Sequence, residues 1–196
     1  MKSGYVVLDP GHGYGTNGKR SRVWPDGSQL FEWEFNRDIS KRIRDKLTAL
    51  NIPASILVEE ARDIPLKIRV ERANRIFAFH PDSFLISIHG NAGGGEGWEV
   101  WTSPGETESD KIATFFYNQA KSILYGYKIR SDYSDEDPDK ESSFYILKHT
   151  LCPAILTENL FYDDPEECRF MLSDFGRALI AKLHVVAIQD YLKQKK

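Results

Sequence analysis

His12 stands in Leu8-Asp9-Pro10-Gly11-His12-Gly13, and His89 in Ile86-Ser87-Ile88-His89-Gly90-Asn91-Ala92. Each follows a short apolar run rich in β-formers, Tyr5–Leu8 and Phe84–Ile88, and each precedes turn-forming residues. In an open α/β sheet, side chains at the carboxyl ends of strands converge on one crevice. Two imidazoles delivered there from separate strands can share one metal ion. Small neighbours leave both rings uncovered and let a ligand approach the backbone. A zinc site that works on substrates takes three ligands from His, Asp or Glu and leaves one position for water. Glu32 is the best third candidate, although Glu34 lies only two positions on, about 200° away if that segment is helical. A fourth charged group ends the β-rich run Pro153-Ala154-Ile155-Leu156-Thr157-Glu158-Asn159. Glu158 is spare as a ligand if His12, Glu32 and His89 suffice, and is then free to shuttle a proton.

These groups need a frame, and the chain alternates strand-like and helix-like segments throughout. Strands are expected at Tyr5–Leu8, Pro53–Val58, Ser83–Ile88, Gly97–Thr102 and Ala154–Thr157, with an apolar run Phe144–Leu147 after the polar stretch Ser131–Glu141. Helices are marked by Phe35, Ile39, Ile43 and Leu47, by Leu66, Val70, Ala73 and Phe77, and by Ile112, Phe116, Ala120 and Ile123. The end reads as helical from about Pro165, with Leu179, Leu183 and Val186 on one side. The alternation predicts an α/β fold: a single-domain three-layer sandwich with a twisted, largely parallel (mixed) sheet of about six strands flanked by helices.

The 196 residues suit one domain over positions 1–196. Twenty-six basic against 29 acidic residues give a net charge of -3, which argues against a nucleic-acid partner. No apolar run approaches the roughly 18 residues of a membrane span, and no basic-then-apolar leader opens the chain. Cys152 and Cys168 are too few for a disulfide framework and read as buried thiols. The acidic run Asp135–Asp139 reads as a solvated loop, with ligand contact as the alternative. His80, His149 and His184 read as surface or capping residues.

At these motifs the sequence resembles the zinc-dependent N-acetylmuramoyl-L-alanine amidases of the amidase-3 type, from Val6 to about Tyr191. Leu8–Gly13 matches the opening Asp-Pro-Gly-His-Gly signature. Glu32-Trp33-Glu34-Phe35-Asn36 resembles the Glu-x-x-apolar-Asn helix start, which favours Glu32 over Glu34. Arg69–Asn74 resembles an Arg…Ala-Asn helix, and Pro153–Phe161 the segment carrying the catalytic glutamate. The resemblance implies one Zn(II) held by His12, Glu32 and His89, and catalysis by Glu158. The implied reaction is hydrolysis of the amide joining N-acetylmuramic acid to L-alanine in peptidoglycan. A zinc peptidase or deacylase on a similar fold, and a non-catalytic peptidoglycan-binding domain, are the rival readings.

The first loop, Tyr14–Gln29, is longer, more aromatic and more basic than the family's. Arg22 and Trp24 either grip substrate there or pin the loop, and Arg20 shares that choice. Asn91 and Trp98 are further candidates for substrate contact, although Trp98 and Trp101 must face opposite sides of a regular strand. Between Ala92 and Phe144 no inserted blocking helix is visible, so an open site is expected. A monomer acting on the cell wall, periplasmic or extracellular, follows from the resemblance. With no separate wall-binding module and no visible leader, delivery as a phage-type lysin, or by a leader outside this sequence, is expected.

Overall fold

The computed structural model describes residues 4–195. A six-stranded sheet runs through its centre: β1 (Val6–Pro10), β2 (Ala54–Ile56), β3 (Phe84–Asn91), β4 (Trp98–Thr102), β5 (Lys140–Glu141) and β6 (Ala154–Phe161). The spatial order is β2-β1-β3-β6-β4-β5. All neighbours pair parallel except β4 and β6, so the sheet is mixed, as expected. Among the described residues six helices surround the sheet: α1 (Glu32–Ala49), α2 (Leu66–Phe79), α3 (Glu108–Ile123), α4 (Tyr145–His149), α5 (Pro165–Leu172) and α6 (Asp174–Gln194).

Alternation along the strands sorts the core into two layers. Val6, Leu8, Ile86 and Ile155 face a cluster with Phe35, Ile39, Phe116 and Ile188 of α1, α3 and α6. Val7, Leu85 and Leu156 face the other way, onto Val70 and Ala73 of α2 and Ile146 of α4. A strand covered on both faces reads as a continuous apolar run, which is why Phe84–Ile88 stood out in the sequence.

Local chemistry sets the helix ends. Thr107 and Asp110 form a reciprocal capping box at the start of α3. Asp164 caps α5, with Pro165 in its first turn, and the Ser173 hydroxyl accepts from Gly176 N–H to open α6. Extended backbone at Ser173 therefore splits the single C-terminal helix read from the sequence.

The apolar run Phe144–Leu147 leads into helix α4, and the sixth strand is the short β5 inside the polar stretch. Two more expectations need correction. In α6 the fully buried stripe runs through Ile180, Leu183, His184, Ala187 and Ile188; Leu179 and Val186 are only half-buried. His184 is neither surface nor cap but lies in the core. Both cysteines are free and buried, as read. No helix among the described residues is long and apolar enough to cross a membrane.

Candidate metal centre

His12, Glu32 and His89 come together at the carboxyl end of β1 and β3, under the first turn of α1. One ligand atom from each lies within 4.8 Å of the others. Glu32 Oε1 sits 3.2 Å from His12 Nε2 and 3.1 Å from His89 Nδ1. The two imidazoles meet edge to face, with centroids 4.9 Å apart. Glu32 is fully buried, while the histidine side chains are 19% and 16% exposed, so the cluster opens on its imidazole side. Glu34 is excluded from the site: it is half exposed and takes two nitrogens of Arg177.

The donor set fits a divalent ion. His12 Nε2 is buried with no hydrogen-bond partner, because its approach to Glu32 Oε1 lacks hydrogen-bond geometry. Two neutral imidazole nitrogens and a carboxylate oxygen are the ligand types zinc takes in hydrolytic centres. Burial opposes ionisation of Glu32, but His12 and His89 hold its carboxyl well below the usual carboxylate range. Burial alone would lower His89, and the Glu32 and Glu158 carboxylates overcome it to give a net upward shift.

The backbone around His12 is held by an unusual density of donors. His12 adopts φ 60°, a left-handed conformation uncommon for a residue with a β-carbon. Its carbonyl accepts from Arg37 Nη1 at 3.0 Å and from Arg69 Nη2 at 2.9 Å. Arg69 also donates to the Pro10 and Ile64 carbonyls and pairs with Asp9. The flanking glycines are needed for space. A β-carbon on Gly11 would lie 2.2 Å from the His89 ring, and one on Gly13 would lie 2.0 Å from the Asp63 backbone.

Glu158 faces the cluster from β6, in register with His89 on β3 and with Glu99 on β4. Its Oε2 is buried and unpartnered. Burial pushes its carboxyl up to about 8; Glu32 and Glu99 add to the rise and His89 opposes it. Just beyond, the β3–β6 register shifts between His89 and Asn91, and Leu160 takes φ 70°. Such an irregularity re-aims side chains at a strand end.

Below the pair runs a buried polar chain. Asn159 Nδ2 donates to the His89 carbonyl at 2.9 Å and to Thr157 Oγ1 at 3.1 Å, while its Oδ1 accepts from Trp98 Nε1. His184 Nδ1–H donates to the Ile180 carbonyl, which leaves Nε2 to accept from the Thr157 hydroxyl.

The candidate substrate contacts divide. Trp98 is fully buried and Trp24 is 3% exposed, its indole N–H directed at Cys168 Sγ, so both are core residues and neither can meet a substrate. Trp24 pins the long first loop, and Arg22 stacks on it at 4.2 Å from the solvent side. Asn91 is half-buried and donates to Glu99 Oε1. The sequence reading missed Tyr162, whose hydroxyl donates to Glu32 Oε2 at 3.3 Å, and Lys19, 3.8 Å from the same oxygen. It also missed Glu99, which collects Asn91, Trp101, Arg130 and Lys140 beside Glu158. Neither Tyr162 nor Glu99 sits at a spacing that marks it; only pairing across elements brings them in.

Comparison with known proteins places the chain in a family. The endolysin of Bacillus phage SPP1 is 30% identical over 195 residues, covering 97% of this chain and 67% of that protein. The sporulation-specific N-acetylmuramoyl-L-alanine amidase of Bacillus subtilis (strain 168) is 27% identical over 194 residues, 97% of this chain and 69% of that protein. This chain thus spans about two thirds of the length of such relatives. The crystal structure of an N-acetylmuramoyl-L-alanine amidase from Clostridium difficile 630 superposes with a TM-score of 0.83 at 24% identity, covering all of both chains. The N-acetylmuramyl-L-alanine amidase Ami1 from Mycobacterium smegmatis gives 0.80 at 21% identity over 98% of each chain, a likeness of fold. The amidase-3 family model, described as N-acetylmuramoyl-L-alanine amidase, matches residues 6–190. With nearly its whole length inside that match, the chain belongs to the amidase-3 family of N-acetylmuramoyl-L-alanine amidases.

Proposed function

We propose that this chain is a zinc-dependent amidase that cleaves the bond between N-acetylmuramic acid and L-alanine in bacterial peptidoglycan. The observation that carries the reading is the meeting of His12 Nε2, His89 Nδ1 and a Glu32 oxygen beside the unpartnered Glu158 carboxyl. Family membership supplies the substrate class. That substrate puts the site of action at the cell wall.

His12, Glu32 and His89 would hold the ion, and Zn(II) bound there would supply Lewis acidity toward a carbonyl and a water. Glu32 contributes the charge that offsets the ion in a buried setting. Tyr162 fixes the second Glu32 oxygen, so that Oε1 stays aimed between the imidazoles. Glu158 takes the proton of the attacking water and returns it to the departing L-alanine nitrogen. The C–N bond breaks, a lactyl carboxylate forms on the sugar, and a free amino terminus forms on the peptide. The buried Glu158 Oε2, free of any hydrogen-bond partner, is placed to accept and return that proton.

Mass spectrometry of digested peptidoglycan tests the reading. New L-alanine amino termini on intact stem peptides, lost on chelation and regained with zinc, are expected. Release of a C-terminal residue would instead mark a peptidase, and unaltered walls a binding domain.

A further inference from the structure

A second group of carboxylates lies away from the His–Glu–His centre. Asp110, in the first turn of α3, meets Asp137 and Asp139, from the loop ahead of β5. One oxygen of each lies within 4.8 Å of the others. The acidic run is therefore not simply a solvated loop.

Asp139 is the informative member, at 1% exposure. Its Oδ2 accepts from Thr102 Oγ1 at 2.6 Å. Its Oδ1 is buried with no hydrogen-bond partner, and is the oxygen left to face the other two acids. A buried carboxylate oxygen without a partner carries its full desolvation cost. Asp137 Oδ1 accepts the Asp139 backbone N–H at 3.2 Å, which brings the two carboxyls side by side. Asp110 spends one oxygen on the Thr107 N–H and has a second to offer. Among the described residues, no Lys or Arg forms an ion pair with any of the three. Burial, with Asp137 adding to it, pushes the Asp139 carboxyl up to about 8, the response of an acid crowded by acids.

We propose that Asp110, Asp137 and Asp139 form a second cation site, one that binds Ca(II). Three carboxylates with no nitrogen or sulfur donor suit a hard ion, and water and backbone carbonyls can complete the six to eight oxygens that calcium takes. The consequence is structural. The ion ties the loop ahead of β5 to the start of α3 and to Thr102 at the end of β4. Lys140, the next residue, pairs with Glu99 at 3.0 Å, so the same tie holds the strand that flanks Glu158.

The test is thermal unfolding of the zinc-loaded full chain while calcium chloride is added at constant ionic strength, with magnesium chloride in parallel. A saturable rise in Tm is expected, about 3–6 °C at ten times Kd for a chain of this size, with a smaller response to magnesium. Asp137→Asn and Asp139→Asn keep the shape and lower the repulsion. Each should retain zinc and match or exceed the calcium-free Tm of the wild type while losing the calcium response. Asp137 is only half-buried, so its variant carries the test should Asp139→Asn fail to fold. A wild-type Tm unmoved by calcium up to about 10 mM, beyond the weak end of calcium-module affinities, would overturn the site in favour of carboxyls sharing a proton. A rise that survives in Asp137→Asn would overturn it as well, by placing the ion elsewhere.

Discussion

Asp9 Oδ1 and Arg69 Nη1 lie 2.7 Å apart with both side chains 2% exposed, directly behind the backbone that carries His12. Asp9 Oδ2 is satisfied by the Ser87 hydroxyl at 2.8 Å, two residues before His89. One buried ion pair therefore braces the strands that deliver both histidines. Breaking such a pair from one side leaves an uncompensated charge and costs about 3–5 kcal/mol. Arg69→Ala should lose stability in that range and bind zinc poorly. Arg69→Lys should fold better than Arg69→Ala yet lose zinc affinity, because one ammonium cannot serve Asp9 and three carbonyls in a fixed plane. Urea unfolding paired with zinc analysis separates the two effects.

Gly11 gives a sharper steric test. A methyl group there meets the His89 ring at 2.2 Å, well inside contact distance. Gly11→Ala should keep its helix and sheet content by circular dichroism, because the strand itself is unchanged. Its zinc affinity and wall lysis should fall at least tenfold as the imidazole is displaced. Unaltered zinc binding would show that His89 is not held against Gly11.

Replacing Glu158 with Gln keeps size and polarity but removes the proton-carrying function. Glu158→Gln should retain one zinc and bind walls, while the turnover rate drops by about 10²–10⁴-fold, the usual range for a general acid–base group. A rate within threefold of wild type would remove Glu158 from the proposed chemistry. Tyr162→Phe is the milder companion: its effect should fall on zinc affinity rather than turnover, since the hydroxyl it removes donates to Glu32 Oε2.

His184 makes stability depend on pH. Burial lowers it to about 4 from an ordinary value of 6.5, with the Ile180 carbonyl partly opposing. Between those values the unfolded chain binds a proton that the folded chain refuses, so stability falls as pH falls through this window. The contribution is complete above pH 6.5 and is fully lost below about 4. At pH 5 the loss relative to pH 7.5 comes to about 2 kcal/mol. His184→Gln removes this contribution alone, so in urea titrations the stability difference between wild type and variant should change by roughly this amount between the two pH values, whatever the other titrating groups do.

Much of the site was legible because its signals are local. Short motifs at strand ends named His12, His89 and Glu158 and left Glu32 against Glu34 to be settled. The Arg177 fork holds Glu34 away from the candidate site, through a contact 143 residues away in sequence. What the sequence hid depends on such distances. Trp24 resembled a loop aromatic until Cys168 covered it, and Trp98 resembled a groove residue until Asn159 took its indole N–H. His184 offered no cue because its partner, Thr157, comes from another element. In the last helix the buried stripe turned by one residue because α6 packs against both α1 and α3, which blurs any single apolar face. The two-residue β5 lacks an apolar pattern, and only its pairing with Trp101 and Thr102 defines it.

The central claim is that one zinc ion is held jointly by His12, Glu32 and His89. Mass-spectrometric metal analysis of the purified wild type and of His89→Ala, after dialysis against zinc-free buffer, tests it most directly. The account predicts close to one zinc per chain in the wild type and less than a tenth of that in the variant. Equal zinc in both proteins, or none in a wild type that still lyses walls, would contradict it.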